Sequence, residues 1–319
     1  MTDLFLAVDA GNTKTWAGLT TAEGDLVGLA RGGVGDIYAP AGPEAAKAVV
    51  LSLVSDVLDS AGLGPSDIKH AAFRLAGVDW PSDAEFWSAA LEPLFSDLSI
   101  KNDGFALVRC GRLDGQGISV VLGTGAALAG RGPAKEWALS WWLQHPLGAA
   151  GLVSEALRAV YRAELGMTES TKLTAVLPPL FGASTPEEML ETTTRRGNTV
   201  TFATLASYAP SVLALVDDDP VVAELVDTQA GHLAGYIRSL ASTCGLADPV
   251  TVVVGGGLVR EPDAPLFAAL RRACDRQGLD LDLRHNQDPA LVGALLDALA
   301  EGGATPTETI RRRLTQKLG

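Results

Sequence analysis

Residues 4–15 read LFLAVDAGNTKT, an apolar run that ends in an aspartate and a turn of Gly, Asn and Thr. The apolar run predicts a buried strand over residues 4–8, and the small polar residues after it predict a tight turn. A second strand is predicted over residues 15–20, and a Glu-Gly-Asp turn precedes a third over residues 26–30. The chain is therefore predicted to open with an antiparallel β-meander.

The same pattern begins again later in the chain. A strand predicted over residues 118–122 runs into Gly123, Thr124 and Gly125, and a second follows over residues 126–130. Strands are also predicted over residues 68–76, 98–101 and 250–254 and near residue 281, and helices over residues 44–61, 83–94, 148–166, 221–245, 265–277 and 289–301. Two such successive units indicate two α/β lobes with a cleft between them, which is a preferred place for ligands.

Composition limits the class of protein. The 319 residues carry 25 Lys and Arg against 38 Asp and Glu, a formal net charge of −13. Hydrophobic residues make up 47% and charged residues 20%, which excludes a disordered chain and favours two domains at this length. An acidic chain without an extended basic run argues against nucleic acid as a partner. The short apolar run between Asp3 and Asp9 is too short for a signal peptide or a membrane span, so we expect a cytoplasmic protein with no membrane partner.

The three cysteines, Cys110, Cys244 and Cys274, are far apart and form no Cys-x-x-Cys pair. An odd number of widely spaced cysteines excludes a disulfide framework and gives none of the usual spacings of zinc or iron–sulfur sites. The four histidines are also scattered. These residues therefore do not indicate a metal centre of Cys or His ligands.

Three glycine-rich turns carry the strongest chemical signal, at residues 9–14, 123–125 and 255–257. Glycines allow backbone N–H groups to approach an anion closely, and threonine hydroxyls add donors. None of the turns is a Walker A loop or a Rossmann fingerprint. Each one alone is also compatible with a plain hairpin turn or strand end. Together, with Asp9 at the end of the first strand, they are interpreted as clamps on one polyphosphate from both lobes.

The segments LAVDAGNTKT, SVVLGTGAALAG and VVVGGGLV, in this order, resemble the three nucleotide motifs of the superfamily of sugar kinases, actin and heat-shock chaperones. Within it, the chain resembles the N-acetylglucosamine kinase family, which includes the ATPase activators of benzoyl-CoA reductase. The resemblance implies an α/β fold of two ribonuclease H-like lobes, each a mixed five-stranded sheet flanked by helices, with a nucleotide cleft between them. It implies an N-terminal lobe over residues 1–115 and a C-terminal lobe over residues 116–319, with an inserted helical segment near 170–215.

The same resemblance implies the residues of the nucleotide site. Thr13 and Thr124 resemble the phosphate-loop threonines, and Asp9 is expected to hold Mg²⁺ through water. The nucleotide-binding residues that it implies are Asp9, Gly11, Asn12, Thr13, Lys14, Gly123, Thr124, Gly125, Gly255, Gly256 and Gly257. Positioning and charge stabilisation of this kind are what phosphoryl transfer requires.

Two further carboxylates are candidates for catalysis. Asp79 follows a predicted strand, and in the resembling kinases the aspartate at this position contacts the sugar hydroxyl and acts as general base. The alternative for Asp79 is a helix N-cap or turn residue before Trp80 and Pro81. Asp103 also ends a strand and is expected either to face Mg²⁺ or substrate or to be part of an ordinary Asn-Asp-Gly turn.

The expected acceptor site departs from the family. Asp36 stands where aminosugar kinases carry a substrate-binding asparagine, and a carboxylate cannot donate the hydrogen bonds of an amide. The segment after Trp137 lacks the family's acidic Gly-Asp-Glu-Gly-Ser-Gly motif. His145 in this segment is a candidate substitute ligand or a surface histidine. Trp141 and Trp142 are expected either to stack on a sugar or to pack in the core.

These observations predict an ATP-dependent kinase, with Mg²⁺, that acts on a hydroxyl of a sugar or aminosugar. One alternative is an ATP-driven switch that activates a partner protein; the activators of this kind hold an iron–sulfur cluster between two subunits with closely placed cysteines, and this chain has no such pair. The other is a nucleotide or sugar sensor without turnover. The expected partners are ATP and a small sugar, and the resemblance suggests a homodimer. The residues leave open which sugar is the acceptor.

Overall fold

The computed structural model describes residues 3–197 and 200–319, and its first five strands form one mixed sheet. The strands are β1 (Leu4–Ala10), β2 (Thr15–Thr21), β3 (Leu26–Gly32), β4 (Ile68–Leu75) and β5 (Leu98–Asn102), in the order β3-β2-β1-β4-β5. β1 pairs antiparallel with β2 and parallel with β4. The predicted meander is confirmed, and two parallel strands extend it.

The second sheet repeats this topology. Its strands are β6 (Gly117–Leu122), β7 (Ala126–Arg131), β8 (Glu136–Ala138), β9 (Val250–Gly255) and β10 (Leu281–His285), in the order β10-β9-β6-β7-β8. Counted from the start of each sheet, the strand order is the same in both. The predicted pair of lobes with mixed five-stranded sheets is therefore confirmed. β8 was not expected, because three residues are too few to show a periodic pattern.

Helices flank both sheets. They are α1 (Pro43–Ala61), α2 (Pro81–Leu91), α3 (Val108–Gly111), α4 (Gly148–Glu164), α5 (Leu173–Leu180), α6 (Pro186–Thr194), α7 (Phe202–Ser207), α8 (Ala209–Leu213), α9 (Pro220–Cys244), α10 (Pro265–Arg276), α11 (Ala290–Glu301) and α12 (Glu308–Leu318). The predicted insertion is helical, from α5 to α8, although its residues 198–199 lie outside the described residues, as do residues 1–2 of the first predicted lobe. α2 ends earlier than expected, at Leu91, and Pro93, which has no backbone N–H, cannot continue its hydrogen bonds. No helix within the described ranges is both long and apolar enough to cross a bilayer.

Alternation along β1 directs its two faces to different helices. Leu6 and Val8 pack with residues of α1 in one hydrophobic core, whereas Phe5 and Ala7 pack with residues of α11 in another. Because side chains alternate along a strand, Asp9 lies on the same face as Phe5 and Ala7. Near the end of β1, Asp9 therefore lies on the α11 side of the first sheet.

The last two helices return to the first sheet. α11 packs on β1 and β4, and α12 adds Ile310 and Leu314 to the same core. α11 also lies very close to residues 103–107, since a Cβ on Gly293 would collide with the carbonyl oxygen of Ala106. The division into residues 1–115 and 116–319 stays a prediction. Under that division, two helices from the second part cover the sheet of the first.

A buried group of charges connects α11 with both lobes. Asp297 of α11 accepts hydrogen bonds from Arg74 of β4 (2.9 Å) and Arg109 of α3 (2.7 Å). It also accepts one from Arg131 of β7 in the second sheet (2.8 Å). Burial opposes the charge of Asp297, but Arg74 and Arg131 outweigh it and lower the pKa of this carboxyl to about 2. We call these four residues the Asp297 cluster.

Candidate active site

A cavity of about 860 Å³ opens between the two lobes, where the turns after β1 and β6 and the end of β9 meet. The residues implied by sequence that line it are Asp9, Gly11, Asn12, Thr13, Lys14, Asp36, Asp79, Asp103, Gly123, Thr124, Gly125, Gly256 and Gly257. The fold therefore brings residues from three glycine turns and four aspartates to one space. We call this space the cleft.

The first turn closes β1 and β2 with backbone bonds. The N–H of Gly11 donates to the carbonyl of Lys14 (3.0 Å), and the carbonyl of Gly11 accepts from the N–H of Gly35 (3.2 Å). The Thr15 hydroxyl donates to the carbonyl of Gly33 (2.8 Å), which fixes the following loop against the turn. These hydrogen bonds fix the turn to the loop at Gly33 and Gly35, while Asn12, Thr13 and Lys14 line the cleft.

The second turn is fixed by the start of α4. The N–H groups of Ala149 and Ala150 donate to the carbonyls of Gly123 and Thr124, each at 2.9 Å. A Cβ on Gly123 or Gly125 would meet no atom within 4 Å, so the backbone of this turn is open to the cleft. Glycine backbone that is held from one side and open on the other is suited to bind an anion such as phosphate.

The third turn follows β9 and contains a glycine with positive φ. Gly256 has φ +109°, and a Cβ there would collide with the carbonyl oxygen of Leu122. Gly257 has open space where its Cβ would lie. Gly255, which the resemblance also implied, is buried as the last residue of β9 and does not line the cleft.

Residues 286–291 and the pair Arg260 and Glu261 also line the cleft, and sequence reasoning missed them. Asn286 follows β10, and its N–H donates to the carbonyl of Val254 (2.8 Å) on the neighbouring strand. β9 and β10 are parallel, so their carboxyl ends lie at the same edge, where open α/β sheets bind ligands. That rule, applied to the predicted strand near residue 281, was the signal that could have found them.

Four aspartates, Asp9, Asp36, Asp79 and Asp103, line the cleft together. Burial raises the pKa of Asp9 to about 6, although Lys14 opposes this shift. Burial raises the pKa of Asp103 to about 8, and the charges of Asp9, Asp79 and Asp36 add to the increase. Carboxylates gathered in this way favour a cation between or beside them.

The donor set agrees with Mg²⁺ bound mainly by substrate. Within the described residues, no group of three or more His, Cys, Asp or Glu side chains is arranged to hold a metal ion. Mg²⁺ is usually bound by one or two carboxylates, waters and the phosphates of its substrate. Asp9 and Asp103 fit this need, since both line the cleft together with the glycine turns.

Asp79 is directed to the cleft and not to its helix. Its Oδ1 accepts from Nδ2 of Asn102 (2.8 Å), and Ser140 gives it a further hydrogen bond. The start of α2 is capped instead by Asp83, which accepts from the N–H groups of Asp79 (3.1 Å) and Trp80 (2.8 Å). The helix-capping alternative for Asp79 is therefore wrong. Burial, with the charges of Asp83 and Asp36, raises the pKa of this carboxyl.

The neighbouring candidates are held by local bonds. Asp36 is buried, and its Oδ1 accepts from the N–H of Tyr38 (2.8 Å). Asp103 begins a short 3₁₀ helix, Asp103–Leu107, and the side-chain oxygen of Asn102 caps this helix by accepting from the N–H of Gly104 (2.8 Å). Asn102 thus supports both carboxylates, Asp79 by hydrogen bond and Asp103 by backbone geometry. Sequence reasoning had counted it only as a turn residue.

His145 lies away from the cleft. Its ring stacks on His232 (3.5 Å between centroids), and its Nδ1 lies 2.8 Å from the hydroxyl of Tyr236 on α9. It does not line the cleft, so the structure does not bring it to the other candidates. Trp141 and Trp142 are 54% and 59% exposed, so the core-packing alternative for them is wrong.

The sequence profile of the BadF/BadG/BcrA/BcrD ATPase family matches residues 6–300. The chain belongs to this ATPase family. Among curated proteins, none matches the chain.

Solved structures share the fold of this chain. A proposed N-acetylglucosamine kinase from Chromobacterium violaceum is 26% identical, with a TM-score of 0.67, over 92% of this chain and 98% of that chain. A proposed N-acetylglucosamine kinase from Porphyromonas gingivalis is 20% identical, with a TM-score of 0.65 and the same coverage. The ROK family glucokinase from Streptomyces griseus, solved with glucose and AMPPNP, is 17% identical over 92% of this chain and 98% of that chain, with a TM-score of 0.56. These likenesses confirm the fold of this family member, a two-lobed sugar-kinase fold.

Proposed function

We propose that this protein is an ATP-dependent kinase that transfers a phosphoryl group to a hydroxyl of a sugar or aminosugar. The observation that carries the proposal is the lining of the cleft, where open glycine turns from both lobes meet Asp36, Asp79 and Asp103 in one cavity. The glycine turns suit the anionic phosphates, and the carboxylates suit a polyhydroxylated acceptor. The likeness to a proposed N-acetylglucosamine kinase at 26% identity supports the same class of substrate.

The nucleotide is proposed to lie between the three turns. Thr13 and Thr124 donate to phosphate oxygens from opposite lobes, and the backbone around Gly256 and Gly257 lies against the ribose. Asp9 and Asp103 are proposed to hold Mg²⁺, which neutralises phosphate charge when bound. Gathering these groups from two lobes allows closure of the cleft to exclude water from the transfer.

The acceptor side supplies orientation and a proton acceptor. Asp79, held by Asn102 and Ser140, is proposed to accept the proton of the attacking hydroxyl. The hydroxyl oxygen then bonds to the γ-phosphorus as the bond to the ADP oxygen breaks. In the alternative assignment Asp9 holds Mg²⁺ without Asp103, and Asp103, which lines the same cleft as Asp79, accepts the proton instead.

A role as an iron–sulfur activator has less support. Cys110 is buried in the core beside α11, and Cys244 and Cys274 are buried in the core of the second lobe. No two of these thiols share a surface that a second subunit could complete. A sensor without turnover remains an alternative that the assay below separates.

The test is release of ADP with a panel of sugars, including glucose, glucosamine, N-acetylglucosamine and muramic acid derivatives. We expect release only with a matching acceptor. Asp79→Asn should reduce kcat by about 100-fold or more, as loss of a general base does, while Mg-ATP still raises the melting temperature. The matched control is Asp56→Asn on the exposed side of α1, which should keep full activity.

The outcomes separate the readings. Full turnover by Asp79→Asn together with loss in Asp103→Asn would move the base to Asp103. ATP hydrolysis that needs no sugar but rises with a protein partner would favour the switch. If Mg-ATP at millimolar concentration does not shift the melting temperature, nucleotide binding itself is contradicted.

A further inference from the structure

A second cavity, of about 280 Å³, adjoins the acceptor side of the cleft. Asp79, Asn102, Ser140 and Trp141 line both spaces and form the border between them. Asp36 and Asp103 line only the cleft, whereas Trp80, Trp137 and Trp142 line only the second cavity. We call this second space the tryptophan pocket. A molecule whose hydroxyl reaches Asp79 can therefore extend beyond the border into indole-lined space.

The indoles of this pocket are unusually exposed. Trp80 is 46% exposed, Trp141 54% and Trp142 59%. Large aromatic side chains that stay exposed together mark a binding surface, because their burial would otherwise stabilise the fold. Two edge-to-face contacts orient the rings. The ring centroid of Trp141 lies 5.6 Å from that of Tyr38 in the first lobe, and the ring centroid of Trp142 lies 6.1 Å from that of Trp137.

The turn that presents these indoles is strained. Ser140 has φ +38°, and it is the only non-glycine residue with positive φ in the part of the chain that the structure describes. Such strain persists where the surrounding structure holds it, and it concentrates at ligand sites. The Ser140 hydroxyl accepts a hydrogen bond from Nδ2 of Asn102 (3.3 Å) and donates one to the carboxylate of Asp79. The strained turn thus places Trp141 and Trp142 beside the proposed base.

Charge in the pocket disfavours an anionic ligand. Its cation is Lys101, which already pairs with Glu136 (2.8 Å) and Glu301 (3.2 Å). Asp79 and Glu136 on the same wall would repel a phosphate or carboxylate. Aromatic side chains supply most of the remaining lining, and indole faces suit the apolar C–H face of an uncharged pyranose ring.

We infer that the acceptor is an uncharged disaccharide, with one ring between Asp36, Asp79 and Asp103 and its second ring in the tryptophan pocket. This inference rests on the proposed kinase function and names its substrate class. The free monosaccharide would reach the same base but leave the indoles uncovered. Trp142, which lines only the pocket, is then a specificity residue for the second ring.

The experiment compares each monosaccharide with its disaccharide: glucose with maltose and cellobiose, and N-acetylglucosamine with chitobiose. We expect kcat/KM for a matching disaccharide to exceed that of its monosaccharide by about tenfold or more. Trp142→Ala should raise KM for the disaccharide about tenfold with little change in kcat, and leave the monosaccharide and ATP constants unchanged. The control is Phe202→Ala, an aromatic side chain that is 75% exposed in the insertion.

Tryptophan fluorescence provides a readout that does not need turnover. Disaccharide should quench the emission of the unmodified protein and quench it less in Trp142→Ala. Equal kcat/KM for both sugar sizes, an equal effect of Trp142→Ala on both, or preference for an anionic sugar would overturn the inference. Quenching that depends on Trp142 without any phosphorylation would contradict the kinase proposal but support the disaccharide pocket.

Discussion

Gly256 and Gly257 are neighbours in the third turn with opposite tolerances for a side chain. At Gly256, φ of +109° and the nearby carbonyl oxygen of Leu122 leave no place for a Cβ. At Gly257 nothing lies within 4 Å of that position. The first glycine is therefore required by the fold, and the second is required only if a ligand approaches the backbone.

This difference gives a paired prediction. Gly256→Ala should lower the free energy of unfolding by about 1–3 kcal/mol, because the backbone must leave its conformation or the strand end must shift. Gly257→Ala should unfold like the unmodified protein but bind Mg-ATP more weakly. Urea unfolding with an unchanged m-value, and the thermal shift with nucleotide, measure the two effects. Equal stability of the two variants would contradict the geometry.

Single residues also show the limit of motif reasoning. Asp79 and Asp103 were recognised because carboxylates after strands are chemically suggestive, whereas Asn102 and Ser140 were not. Asn102 at the end of β5 and Ser140 after β8 both donate hydrogen bonds to Asp79, one from each sheet of the molecule. No local pattern marks a positioning residue, because its role depends on which side chain the fold places beside it.

The helix α11 contacts both sheets of the molecule. Its apolar face covers β1 and β4, and its Asp297 is the acceptor for arginines of β4, α3 and β7. Arg74 and Asp297 are 223 positions apart in the chain. Removing one member of a buried ion cluster destabilises the fold, because a charge that loses its partner in the core is not compensated by water.

Asp297→Asn should therefore destabilise the protein by about 3–5 kcal/mol, because three guanidiniums lose the carboxylate that they share in the core, although Arg74 keeps Glu301 and Arg131 keeps Glu136. The matched control is Asp227→Asn, which removes an exposed ion pair with Arg272 (3.0 Å) and should cost about 1 kcal/mol or less. Urea unfolding of both variants measures the difference. A loss in Asp297→Asn no greater than in the control would show that the cluster adds little to stability.

The two lobes are joined through charges that also set how the whole molecule responds to acid. Asp297 has its pKa lowered to about 2. Burial opposes the charge of Glu301, but bonds from His70, Arg74 and Lys101 dominate and hold its pKa well below the ordinary range. A carboxyl whose pKa is lower in the folded state stabilises the fold above its unfolded pKa.

We therefore expect the melting temperature to fall as pH decreases from about 4, the pKa of unfolded carboxyls, toward 2. Over this range the carboxyls of Asp297 and Glu301 take up protons in the unfolded chain before they do so in the folded protein, so the folded state loses stability. In Asp297→Asn the acid part of this curve should be shallower, because one of the titrating groups is absent. Calorimetry from pH 7 to pH 2 tests this, and parallel acid curves would exclude Asp297 as a contributor.

Short-range patterns account for most of the architecture. Alternating apolar residues, Gly and Thr turns and helical spacing act within a few residues, so the first meander, the hairpin of the second lobe, the long helices and the three turns could be predicted. The family resemblance carried in those turns was equally local. The hydrogen bonds of Asn102 and Ser140 to Asp79, the return of α11 to the first sheet and the tryptophan pocket could not be predicted in this way. They depend on packing between segments distant in the chain, where the energy of a contact depends on the neighbour that the fold supplies and not on the residues beside it.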